Sequence, residues 1–229
     1  QGTLTLHRDL LGLPRDLVLG VRHVTPAGEV VGMGGKTVKN VSGYDVSKLM
    51  IGSRGSLGVL CEMTLRLLPL PERTATELFS FDRREAACDF VDRVFETPLL
   101  PAAVELLSPR ASDLLLPQEM ERSIEGSWGV ALALEGVEEA VARMSEAFEE
   151  TGEAGGARSR LGLEGDAHAR FWERYAHLEE TLEKACPNLV TLRPMIPISG
   201  YKDLAAHVAS LDAVGVFQAG SGTARVHLP

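Results

Sequence analysis

Residues 34–68 read GGKTVKNVSGYDVSKLMIGSRGSLGVLCEMTLRLL, and three physical devices follow one another in that stretch. Gly34-Gly35 closes one extended segment. Ser42 and Asp45 have the S-x-x-D spacing in which side-chain oxygens cap the free N–H groups of a first helical turn, and Val46, Leu49 and Met50 are the expected apolar face of that helix. Gly52, Gly55 and Gly58 recur at three-residue intervals, and Val59–Leu65 then reads as a strand. Glycine costs backbone entropy, so its regular use implies positive φ angles or a close approach by something bulky. Two readings stand side by side on spacing alone: a tight turn beneath a packed sheet, or a loop whose bare backbone holds a cofactor. Two familiar phosphate loops are excluded. Gly35-Lys36-Thr37 imitates the end of a P-loop, but the first glycine would have to fall at Val30. The dinucleotide fingerprint runs strand, glycines, helix, whereas here the order is helix, glycines, strand.

Lys39-Asn40-Val41-Ser42-Gly43-Tyr44-Asp45, followed by Gly52-Ser53-Arg54-Gly55-Ser56-Leu57-Gly58-Val59, resembles the second half of the FAD-binding domain of the vanillyl-alcohol oxidase (PCMH-type) family, in the wording of the E-type FAD-binding subunit of glycolate oxidases. The resemblance covers residues 1–71 by motif and the remainder by layout. It implies an α+β fold: the second half of a PCMH-type FAD-binding domain over 1–71, then a ferredoxin-like antiparallel-sheet cap domain over 72–229. It implies FAD as cofactor, with Lys39, Asn40, Gly43, Tyr44, Gly52, Gly55, Ser56, Gly58 and Val59 as the binding positions. The implied activity is oxidation of glycolate or another small 2-hydroxy acid. The implied partners are a catalytic flavoprotein subunit and an iron–sulfur subunit, which receive the electrons. Complete relatives carry roughly a further hundred residues in front, a length within one domain. Those residues hold the other phosphate-binding subdomain, so the resemblance implies an N-terminally truncated chain that binds FAD weakly and is inactive alone. Two alternatives stand beside this reading: a non-catalytic scaffold subunit of the same complex, and an unrelated ferredoxin-like ligand-binding module.

Composition narrows the classes. At 229 residues, 45% apolar and 24% charged, the chain has the make-up of a globular protein able to bury two modest cores. No apolar run reaches the ~20 residues of a membrane span, and no signal peptide opens the sequence. A cytoplasmic setting, peripheral at the inner membrane through partners, is the expectation. Cys61, Cys88 and Cys186 are far apart with no C-x-x-C pair, which excludes an iron–sulfur or structural zinc site built from them. Residues 1–70 hold eight Lys/Arg against five Asp/Glu, so with a whole-chain charge of −9 the rest carries −12. That balance excludes a nucleic-acid stripe, while a mildly basic front suits a pyrophosphate.

Read in order, Asp16–Thr25 is an expected strand, Pro26-Ala27-Gly28-Glu29 a turn, and Val30–Met33 the returning partner. Arg22 and His23 fall on opposite faces, with His23 expected to be a solvated strand residue. Pro69 and Pro71 mark a boundary, since prolines cannot continue a paired strand. Beyond it, strands are expected at 74–81, 102–107, 128–135, 157–161 and 189–197, with a closing hairpin of 214–219 and 223–227. Helices are expected at 84–96, with Phe95 on its apolar face, and at 108–116 behind a Ser108 cap. Further helices are expected at 137–151 stopped by Gly152, as one long helix over 166–185, and at 201–211. This order suggests an antiparallel sheet with helices on one face. The Glu-rich run from Glu135 to Glu153 is a solvated helix face.

A 2-hydroxy-acid oxidoreductase of this kind needs a fixed flavin, an Arg or Lys for the substrate carboxylate, and a base. Catalytic members of the resembled family carry H-x-G-D-G-N-x-H, which holds a metal. The comparable stretch here is Gln218-Ala219-Gly220-Ser221-Gly222-Thr223-Ala224-Arg225-Val226-His227, so the leading His, the Asp and the Asn are replaced by Gln218, Ser221 and Thr223. No metal is expected there, an accessory role is implied, and Arg225 and His227 are the local candidates for a substrate or flavin contact.

Overall fold

The computed structural model describes residues 14–36, 46–117 and 126–228. The chain divides into two compact units, with the change at Leu70/Pro71.

The smaller unit is a three-stranded antiparallel sheet in the order β2-β1-β3, where β1 is Val18–Val24, β2 is Val30–Gly34 and β3 is Val59–Leu65. The expected start of β1 at Asp16 is corrected: Pro14–Leu17 forms a helical turn, α1, since proline presets φ for a first turn. Gly28, at φ +84, closes the β1–β2 hairpin. The helix α2, Val46–Met50, buries Met50 and Ser47 and leaves Leu49 63% exposed, so Leu49 is not on the packed face. Val18, Val21 and Met50 make a small core. His23 lies on the same side of β1 as Val21 and is 4% exposed, which overturns the solvated reading. The capping residues Ser42 and Asp45 lie outside the described residues.

The larger unit is built on a seven-stranded sheet, all of its pairings antiparallel, in the order β7-β4-β6-β5-β9-β10-β8. Its strands are β4 Arg73–Phe81, β5 Ala103–Leu107, β6 Trp128–Gly136, β7 Ser159–Glu164, β8 Val190–Leu192, β9 Val214–Gln218 and β10 Thr223–Leu228. The helices are α3 Arg84–Glu96, α4 Pro109–Leu115, α5 Glu138–Ala154, α6 Gly165–Ala176, α7 Leu178–Ala185 and α8 Tyr201–Ser210. Central strands β5 and β9 are buried at every position. Such strands need cover on both sides, and they have it, so the expectation of helices on one face is corrected. Phe79, Phe81, Val130, Leu132 and Phe217 point into a core closed by α3, α5 and α8. The alternate residues Leu78, Leu107, Ala131 and Val216 point into a second core closed by α4, α6 and α7. Each fully buried Phe or Leu contributes about 1.5–3 kcal/mol.

Local chemistry explains most boundaries. The Ser108 hydroxyl accepts from the Ala111 N–H at 3.4 Å and Pro109 follows at the first helical position, so α4 starts there. Gly152 does not stop α5. It lies inside the helix because a Cβ there would sit 2.6 Å from the Phe79 ring; only a bare backbone lets helix and sheet approach so closely. The expected 166–185 helix is two, α6 and α7, with the break at His177, φ −97 and ψ 10. Phe95 is 44% exposed rather than packed, and the 157–161 strand starts later, at Ser159.

Candidate functional site

The glycine loop is the first place to look. It joins α2 to β3 as consecutive turns, with Ser53 N–H donating to Met50 O (3.2 Å), Ser56 N–H to Ser53 O (3.0 Å) and Gly58 N–H to Gly55 O (3.4 Å). The Ser56 hydroxyl also donates to Ser53 O at 2.7 Å. Gly52, Gly55 and Gly58 all have positive φ, at +85, +81 and +143, conformations that L side chains rarely adopt. Their surroundings differ. A Cβ at Gly52 or Gly55 would meet nothing within 4 Å, whereas one at Gly58 would sit 2.4 Å from Val24 O and 3.2 Å from the His23 ring. Gly58 therefore serves packing against β1, and Gly52 and Gly55 present bare backbone to open space. Ser56 is exposed, and Val59 is 67% exposed while its backbone pairs with Val24. Lys39, Asn40, Gly43 and Tyr44 lie outside the described residues. The loop therefore leaves room beside its backbone at Gly52 and Gly55 and none at Gly58.

On the sheet of the smaller unit, Gly20, Gly32, Gly34 and Gly35 line a groove of about 210 Å³ together with Arg22 and Lys36. That is below the ~300 Å³ at which ligand pockets usually begin. Arg22 pairs with Glu62 at 3.4 Å with both side chains more than half exposed, a pair of little energetic weight. The groove alone is not a site.

The larger unit contains a polar cluster on the second-core face. Glu105 on β5 is fully buried, and it accepts from the Tyr175 hydroxyl on α6 at 2.6 Å and from Gln218 Nε2 on β9 at 3.4 Å. Gln218 Oε1 accepts from the Thr223 hydroxyl at 2.6 Å, and Ser221 and Thr223 hydroxyls lie 2.9 Å apart. These three positions, where the resembled motif has metal ligands, are thus bonded to one another. Among the described residues no group of three or more His, Cys, Asp or Glu is arranged to hold a metal. Beside them on β10, the Arg225 guanidinium carbon lies 4.6 Å from the centre of the Tyr175 ring, a cation–π arrangement. His227 is 1% exposed, and its Nδ1 lies 3.0 Å from the Thr191 hydroxyl. Arg225 Nε and His227 Nε2 are buried without a hydrogen-bond partner. Burial keeps the His227 imidazole below its ordinary pKa, with the Arg225 and Arg193 charges acting in the same direction and Glu179 opposing them. Burial, followed by the Glu105 charge, holds the Tyr175 hydroxyl well above the usual range.

Sequence reasoning named Arg225, His227 and Gln218 but missed Glu105 and Tyr175. A signal was available for Glu105: a carboxylate within Ala-Val-Glu-Leu-Leu, an otherwise apolar strand, requires buried partners. Tyr175 reads in sequence as one more residue of the helix that carries Phe171 and Trp172.

No family model matches the chain. Over 96 residues it is 36% identical to the glycolate oxidase subunit GlcD of Bacillus subtilis, covering 42% of this chain and 20% of that protein. Over 81 residues it is 42% identical to the glycolate oxidase subunit GlcE of Escherichia coli, covering 35% and 23%. A longer match, 31% over 180 residues, is with a D-2-hydroxyglutarate dehydrogenase of Xanthomonas citri, covering 77% and 38%. Other homologues carry the names D-lactate dehydrogenase and FAD-linked oxidoreductase. Among solved structures, alkyldihydroxyacetonephosphate synthase superposes with a TM-score of 0.70 at 12% identity, over 97% of this chain and 46% of that one. p-Cresol methylhydroxylase superposes with a TM-score of 0.62 at 15% identity, over 93% and 51%. The chain therefore has the mixed helix and antiparallel-sheet fold of the PCMH-type proteins. It spans between about a fifth and two fifths of these curated relatives and about half of the solved structures. Among the described residues no helix is long and apolar enough to cross a membrane.

Proposed function

We propose that this chain is the FAD-binding subunit of a glycolate (2-hydroxy-acid) oxidase or dehydrogenase complex. The observation that carries the reading is the loop at Gly52 and Gly55, whose positive-φ backbone faces open space, in a chain whose homologues are named as glycolate oxidase subunits, D-lactate dehydrogenases and FAD-linked oxidoreductases. In this reading residues 1–71 supply part of the cofactor domain and residues 72–229 a ferredoxin-like cap. The bare backbone at Gly52 and Gly55 lets the cofactor approach, and Ser56 contributes a hydroxyl beside it. Lys39 offsets cofactor charge, and Asn40, Gly43, Tyr44 and Val59 complete the seat. Gly58 acts on it indirectly, by holding the loop against β1. FAD, when bound, supplies the acceptor for the two electrons of the hydroxy acid. A catalytic flavoprotein subunit and an iron–sulfur subunit are the proposed partners, in a cytoplasmic complex.

The test is a visible absorption spectrum of the whole purified protein after incubation with FAD and removal of free flavin. For the full-length protein with its partner subunits, retained flavin bands that bleach on anaerobic addition of glycolate are expected and a colourless protein sinks the reading, whereas residues 1–229 alone are expected to retain little flavin. A scaffold role in the same complex has one observation in its favour, the mutual hydrogen bonding of Gln218, Ser221 and Thr223. Dye reduction by glycolate, with and without the partner subunits, separates the two.

A further inference from the structure

We propose that a cavity beside the edge strand β7 binds an amphipathic anion, an alkyl or aryl group ending in one negative charge. Its apolar body lies on Leu161, Leu163 and Phe171, and its charge meets Arg170 and Arg174. The cavity holds about 540 Å³ and is lined by those five residues with Ala167 and Pro117, a volume within the roughly 300–1,000 Å³ of small-molecule sites. Local geometry builds it. Leu161 and Leu163 are alternate residues of β7 and so share one side of the sheet. Ala167 and Phe171, like Arg170 and Arg174, stand four apart on α6, and the two pairs form adjoining stripes of one helix. Pro117, which follows the end of α4, completes the lining.

Two features select the ligand. Apart from the two arginines, every lining side chain is apolar, so the floor offers a hydroxyl no side-chain donor or acceptor. A molecule as small and polar as glycolate would leave that floor unused. The second feature is charge. Arg170 and Arg174 are both exposed, and like charges one helical turn apart destabilise a helix. No ion pair among the described residues includes either of them. Arg174 donates through Nη2 to the Leu115 carbonyl, which anchors its guanidinium at the cavity and leaves further N–H groups to donate. An anion between the two guanidiniums relieves their repulsion, and charge-assisted hydrogen bonds to it are the strong kind. The site is apart from Gln218, Arg225 and His227: in the order of the seven-stranded sheet β7 is the first strand, β9 the fifth and β10 the sixth. It does not draw on the function proposed above.

The test uses the whole protein without added flavin, titrated in a calorimeter with octanesulfonate, and with octanol and glycolate as probes of the apolar body and of the charge alone. Saturable one-to-one binding of octanesulfonate is expected, with octanol at least tenfold weaker and glycolate unable to compete. Arg170→Gln removes an exposed charge, and Ala167→Leu fills the cavity with a good helix former. Each is expected to weaken octanesulfonate binding at least tenfold. Trp172 packs edge-on against Phe171 with ring centres 5.0 Å apart, so its indole N–H resonance, the one kept in Trp128→Phe, is expected to move on binding. Absence of saturable binding, equal affinity in a folded Arg170→Gln, octanol binding as tightly, or displacement by glycolate overturns the proposal. So does binding that leaves the Trp172 resonance in place, which puts the anion on another apolar surface.

Discussion

Gly55 and Gly58 share a sign of φ and differ in what surrounds them, so the same substitution acts on different properties. Alanine at Gly55 forces a side chain into a left-handed conformation, at about 1 kcal/mol, and meets no neighbour. Alanine at Gly58 adds a collision with Val24 O. Expected in urea titrations is a small midpoint loss for Gly55→Ala and a much larger one for Gly58→Ala. In the FAD-binding reading Gly55→Ala is also the variant that loses flavin while still folded. Equal stability losses would mean that the two glycines do not divide as described. At His227, burial lowers the folded-state pKa below its ordinary 6.5, with Arg225 and Arg193 adding to the effect. The unfolded chain therefore takes up a proton that the folded one refuses. Stability is level above pH ~6.5 and declines as pH falls from there toward the folded-state pKa; His227→Gln is expected to flatten that part of the stability–pH curve. Cys88 is a third case: burial pushes its thiol up to about 11, so at pH 8 a thiol reagent should label it only after unfolding, whereas exposed Cys61 reacts in the native protein.

At the scale of elements, the informative features are those that a one-dimensional pattern misreads. Gly152 looked like a helix stop and is a contact point, because the Phe79 ring occupies the space a side chain would need. Gly152→Ala improves helix propensity and still should destabilise, by about 1–3 kcal/mol, the range for overpacking; a gain in thermal stability would contradict the packing described here. The edge strand β7 is tied to β4 and α5 by Arg160, whose Nε donates to Glu77 Oε2 at 2.9 Å and whose Nη1 pairs with Glu149 at 2.7 Å. Glu77 is 2% exposed. Arg160→Met removes a partner of a buried carboxylate, and a loss of about 3 kcal/mol is expected in chemical denaturation. A loss below about 1 kcal/mol would mean that water replaces the guanidinium.

At the scale of the molecule, the change of unit at Leu70/Pro71 leads to a prediction about proteolysis. Brief digestion should cut first among exposed residues near Leu67, Leu68 and Leu70 and leave a resistant piece beginning close to Arg73, where β4 enters nine consecutive pairs with β6. First cuts within β4 or β6 would argue against the division.

What the sequence determined by itself was local. The Ser-Pro cap at Ser108, the turn at Gly28, the strand Val59–Leu65 and the helix Arg84–Glu96 were readable because the residues that make them are neighbours in the chain. The ordered string from Lys39 to Val59 likewise carried the family resemblance in one dimension. Tertiary structure alone decided which glycine of the loop faces open space, that helices cover both sides of the seven-stranded sheet, and that Glu105, Tyr175, Gln218, Arg225 and His227 share one face. Those five come from separate stretches, β5, α6, β9 and β10. No spacing rule connects a strand near residue 105 with one near 225, and their meeting follows from sheet order, which local sequence does not encode.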